Sequence, residues 1–74
     1  MTTLDQLQPG QVATVGKVSA DKALRRRLLD MGLTRGAQIE MVKVAPMGDP
    51  LEYKVRDYRL SLRKNEAQAV QVEV

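Results

Sequence analysis

The stretch Asp21–Leu33, DKALRRRLLDMGL, decides the fold, because it alone in this chain carries a helical period. Leu24, Leu28 and Met31 stand at i, i+4 and i+7 and form one apolar stripe. Ser19 or Asp21 is available to cap the first turn. Gly32 falls just past the last turn, where a left-handed backbone is cheap only for glycine. Leu33 then occupies the next position and is predicted to pack back on Leu28, in the geometry of a Schellman cap.

On either side of this helix the pattern is that of strands. Gln11–Val18 is rich in valine and threonine and reads as the first strand. Gln38–Val44 reads as the second. Its alternation breaks: Ile39 and Met41 share one face, Val42 and Val44 the other. The break predicts either cover on both faces near the strand's end or a bulge that swaps them. Leu51–Arg56 alternates cleanly, with Leu51, Tyr53 and Val55 inward. Arg59–Arg63 does the same through Leu60 and Leu62, and Val70, Val72 and Val74 form a last strand. Turns are marked by Pro9-Gly10, by Gly32 and Gly36, by Pro46–Pro50, by Asp57-Tyr58 and by Lys64-Asn65. Five short strands with one helix inserted after the first predict a small SH3-like barrel, a mainly β single domain over residues 1–74. An OB-fold, the nearest rival, usually carries its helix between the third and fourth strands. Barrel closure is expected, because so short a chain is poorly served by open sheet edges.

Composition narrows the function. The 74 residues contain no cysteine and no histidine, which removes the usual triad base and the usual zinc ligands. No resident cofactor or metal is expected. No apolar run is long enough to span a bilayer. Met1–Gln8 has neither the basic nor the apolar part of a signal peptide, so a cytoplasmic location is expected. Twelve Lys and Arg against nine Asp and Glu leave a net charge of +3, which permits an acidic partner without demanding nucleic acid. The aromatics are only Tyr53 and Tyr58, too few to stack bases on a sheet. A nucleic-acid-binding barrel is therefore the second reading, and no nucleic acid is expected as partner. No GxxxxGK[ST] motif is present, so the chain is not expected to bind GTP.

The order RLLDMGL (27–33), Gly36, IEMVKVAPMGDPLEYKV (39–55) and LSLRKNEAQAVQV (60–72) resembles the ferrous iron transport protein A family, FeoA. The resemblance runs from about Leu7 to the C-terminus. It rests on the helix end with its following glycine, the Pro46–Pro50 loop, and the final L-x-L-R-x-x-E-A. It implies an SH3-like barrel and a non-enzymatic accessory role in the cytoplasm, beside the large membrane iron transporter FeoB, which has a GTP-binding domain. Two positions depart from the family pattern. Asp57-Tyr58 stand in a hairpin that often holds glycine, giving a bulkier tip, and Met31 stands where leucine is usual.

The candidate partner-binding residues fall in two groups. Along the helix, Lys22, Arg25 and Arg26 surround Leu29, which lies off the core stripe. An apolar residue ringed by cations reads as an interface anchor; the alternative is that the Pro46–Pro50 loop folds over it. Arg26 and Asp30 are spaced for an i,i+4 ion pair, and the blander reading of the arginines is a solvated face. The second group is the loop itself, Pro46, Met47, Gly48, Asp49 and Pro50, with adaptable Met47 at its tip. Otherwise it is a stiff connector. Gly32, Leu28, Leu33 and Gly36 are read as structural. Asp49, Asp57, Glu66 and Glu73 are scattered, and no dedicated ferrous site is expected from them.

Overall fold

The helix α1 forms at Lys22–Asp30, where the apolar period places it. The computed structural model describes residues 2–74, and Met1 lies outside them. Asp21 is the N-cap, its carboxylate accepting the Leu24 N–H at 2.8 Å. At the other end Gly32 has φ +99°. Its N–H donates to the Leu29 carbonyl at 3.0 Å, and the Leu33 N–H donates to the Leu28 carbonyl at 3.1 Å. That is the Schellman pair, and both Leu28 and Leu33 are fully buried. Each contributes about 1.5–3 kcal/mol by leaving water. Leu24 and Met31 are half-buried and pack against the same core.

Six antiparallel strands make one sheet in the order β1-β6-β2-β3-β4-β5. They are β1 (Thr2–Thr3), β2 (Val12–Val18), β3 (Gln38–Val44), β4 (Leu51–Val55), β5 (Tyr58–Leu62) and β6 (Val70–Glu73). The additional strand, β1, lies in a lead with no alternation long enough to betray it. It pairs through Thr2 with Val72 and Thr3 with Gln71. The break in β3 is a bulge. Met41 faces Tyr53 and Lys43 faces Glu52, which leaves Val42 as the extra residue.

Closure of the barrel and the Lys64-Asn65 turn are both corrected. The sheet does not close, because β5 and β1 are not paired. A 3-10 turn at Leu4–Gln6 and a second short helix, α2 (Lys64–Ala67), contact each other instead. The buried Tyr53 hydroxyl ties the first of these to β4 by donating to the Leu4 carbonyl at 2.9 Å. Burial, and then the nearby Asp5 carboxylate, push that hydroxyl's pKa up. Lys64-Asn65, read as a turn, is the start of α2. The Glu66 carboxylate reaches back to the Arg63 N–H at 2.8 Å and starts the helix.

The β4–β5 hairpin turns on Arg56-Asp57, with Val55 opposite Tyr58. The left-handed residue is Arg56, at φ 57°. Tyr58 is thus not a turn tip but the first residue of β5. Its hydroxyl donates to the Met31 carbonyl at the end of α1. A Cβ on Gly32 would overlap that hydroxyl and stand 3.2 Å from ring carbon Cζ. A side chain at Gly32 would therefore be strained by its φ and would push the exposed Tyr58 ring aside.

Candidate functional site

Leu29 is 36% exposed and leans into a groove rather than standing on a convex helix face. Gly16, Lys17, Val18, Arg25, Leu29, Leu33 and Arg35 line it, and its volume is about 400 Å³. Leu33, held by the helix cap, supplies buried floor. Arg35 arrives through the turn after the helix, which is pinned to β2. The Gly36 N–H donates to the Val15 carbonyl at 2.8 Å, and the Val15 N–H donates to the Ala37 carbonyl at 2.8 Å. Gly36, at φ +90°, permits that turn. The result is an apolar bottom rimmed by Lys17, Arg25 and Arg35, with no acidic side chain in the lining.

Of the helix candidates, Arg25 and Leu29 share this groove, while exposed Lys22 and Arg26 lie outside its lining. Lys17 and Arg35 join the site only in three dimensions. One lies on a strand and the other in a turn, so no periodicity links either of them to the helix. The Arg26–Asp30 ion pair is not formed among the described residues. The triplet's ion pair is made by Arg27, whose Nη2 lies 2.7 Å from the Glu66 carboxylate. Among the described residues Glu66 is the one buried charged residue, with 7% of its surface exposed, and its bond to the Arg63 N–H at the start of α2 holds the carboxylate in place for Arg27.

The Pro46–Pro50 loop does not line the Leu29 groove. It closes on itself, the Gly48 N–H donating to the Ala45 carbonyl at 2.8 Å and the Ala45 N–H to the Pro50 carbonyl at 3.1 Å. Asp49 then accepts the Lys64 N–H at 2.9 Å, which fastens the loop to α2. Met47 at its tip is 92% exposed. The two candidate groups are therefore separate surfaces. The carboxylates remain dispersed: among the described residues no three His, Cys, Asp or Glu side chains assemble into a metal site. No described helix is long and apolar enough to cross a membrane.

Comparison with known proteins places this arrangement. The FeoA domain family model matches residues 2–74. A fusion protein of Porphyromonas gingivalis, Fe(2+) transport protein A joined to the Fe(2+) transporter FeoB, is 37% identical over 71 residues. The match takes in 96% of this chain and 8% of that relative's length. The solution structure of the FeoA protein from Chlorobium tepidum superposes with a TM-score of 0.92 at 41% identity, covering 99% of this chain and 70% of that one. The zinc-complexed crystal structure of Stenotrophomonas maltophilia FeoA, described as a prokaryotic SH3 domain protein, gives 0.87 at 35% identity, with 99% and 91% covered. The expected SH3-like class is thereby met, with an unclosed sheet. With the family model matched across all the described residues, and with relatives well above 30% identity, the chain belongs to the FeoA family.

Proposed function

We propose that the domain is a non-enzymatic accessory of ferrous iron uptake that docks on the cytoplasmic part of a FeoB-type membrane transporter and tunes its GTP-driven cycle or its assembly. The observation that carries this reading is the Porphyromonas gingivalis relative, in which a matching domain and FeoB form one polypeptide. Covalent linkage turns a docking step into an intramolecular one, which is useful only where the two parts meet.

The surface best suited to the docking is the Leu29 groove with the outer face of α1. Leu29 supplies an apolar anchor over the Leu33 floor, and Lys17, Lys22, Arg25, Arg26 and Arg35 supply steering charge. Met47 and its loop offer a second contact on a separate surface.

The test is co-purification of the domain with the transporter from membranes. Leu29→Ser is expected to leave the melting temperature within a few degrees of wild type and to weaken capture. Arg25→Glu with Arg26→Glu is expected to slow association most at low salt. Unchanged capture by both variants would place the docking surface elsewhere. An unfolded Leu29→Ser protein would make Leu29 a core residue.

A further inference from the structure

The last strand of the sheet has an unused side. Val55 and Tyr58 close a two-residue turn, so they exchange hydrogen bonds, and the alternate pairs Tyr53/Leu60 and Leu51/Leu62 do the same. Arg59 and Ser61 therefore aim their N–H and C=O groups away from β4. β5 ends the sheet, and no described residue bonds these four groups. Both residues are exposed. Beyond Leu62 the edge stops, because the Arg63 N–H is held by Glu66 and the Arg63 carbonyl accepts the Glu66 and Ala67 N–H groups.

The charges along this edge say what it takes. On the outer face Glu40 stands opposite Lys54, and Lys54 stands opposite Arg59. The row thus reads minus, plus, plus, and ends at open solvent. Like charges directly opposite one another on adjacent strands are unfavourable. Arg59 finds only a diagonal partner, Glu52, at 3.2 Å. Exposed Arg56, Arg63 and Lys64 flank the edge, against Asp57 as the lone acid in the strand's own turn. Pairing β5 with a second copy of itself would bring two such cationic rows together.

We propose that the outer edge of β5 is a strand-addition site for an acidic, extended segment of a partner chain. The segment pairs antiparallel with Arg59 and Ser61 through four main-chain hydrogen bonds. It sets a carboxylate beside Arg59, completing the row that Glu40 begins. This surface is separate from the Leu29 groove, so it stands whether or not that groove binds the transporter.

The probe is an acetylated, amidated peptide alternating valine with glutamate, and a valine–lysine peptide is the control. Amide hydrogen exchange of the intact protein is followed by NMR. In the free protein the Arg59 and Ser61 amides should exchange fast. Saturating acidic peptide should slow both by about tenfold or more, leaving the Leu29 groove amides unaffected, and the lysine peptide should not. Ser61→Pro removes an outward N–H without touching the β4 ladder, so it should abolish the protection. Arg59→Glu should transfer binding to the lysine peptide, which keeps the test decisive if the proline variant fails to fold. Arg59 and Ser61 amides already protected in dilute free protein would overturn the proposal. So would acidic-peptide binding that survives both variants, or no binding of that peptide. Protection that grows with protein concentration alongside a dimer mass would assign the edge to a second copy and likewise overturn it.

Discussion

Replacing Gly32 by valine attacks the point where helix, turn and hairpin meet, and two separable effects add there. At φ +99° a side chain is strained, and a left-handed backbone costs an L-residue about 1–2 kcal/mol. The new Cβ also lands on the Tyr58 hydroxyl, so the ring must move. Tyr58 is exposed and its ring can swing aside, so moving it costs mainly the Tyr58–Met31 hydrogen bond, about 0.5–1.5 kcal/mol. We expect about 2.5 kcal/mol in all, read as a shift of the urea midpoint at constant slope. For a domain of this size that is a fall of about 10–20 °C in Tm. Gly48→Val is the internal control. Gly48 has φ +88° with nothing within 4 Å of its Cβ position, so strain alone should appear, about 1–2 kcal/mol. A double-mutant cycle isolates the overlap: Gly32→Ala should cost about 1 kcal/mol less in a Tyr58→Ala background. Equal costs at Gly32 and Gly48, or no coupling to Tyr58, would refute the idea that the tyrosine dictates the glycine.

Arg56→Gly should stabilise the domain by about 0.5–1 kcal/mol, since relief of the left-handed φ outweighs the added freedom of the unfolded chain; a lower urea midpoint would show that the turn is not strained there. The raised Tyr53 pKa makes a pH prediction of definite sign. A hydroxyl that holds its proton more tightly when folded stabilises the fold fully below its ordinary pKa of about 10 and loses that contribution as pH climbs above it. Stability measured by urea titration should therefore drop above about pH 10, and Tyr53→Phe, though weaker at neutral pH, should drop less over the same range; parallel curves would remove Tyr53 as the cause.

The capped helix was legible in the sequence because its signals are local. The 3.6-residue period of Leu24, Leu28 and Met31, the Asp21 cap and the Gly32 stop act within a few residues of one another, and all three appear where expected. The clean alternation of Leu51–Val55 is likewise local, as is the break at Val42 that became a bulge. The resemblance carried by RLLDMGL and the later motifs pointed to the family whose model matches residues 2–74. Tertiary structure alone decided where these pieces meet. Arg27 pairs with Glu66 from 39 positions away, on a carboxylate that the Arg63 N–H holds at the start of α2. Arg35 reaches the rim beside Lys17 and Leu29 only when the Thr34–Ala37 turn is pinned to β2. The sheet stays open, with β5 unpaired on its outer side, and that leaves Arg59 and Ser61 with outward main-chain groups. Such contacts depend on side chains far apart in sequence and on competition between partners, and neither leaves a periodic trace along the chain.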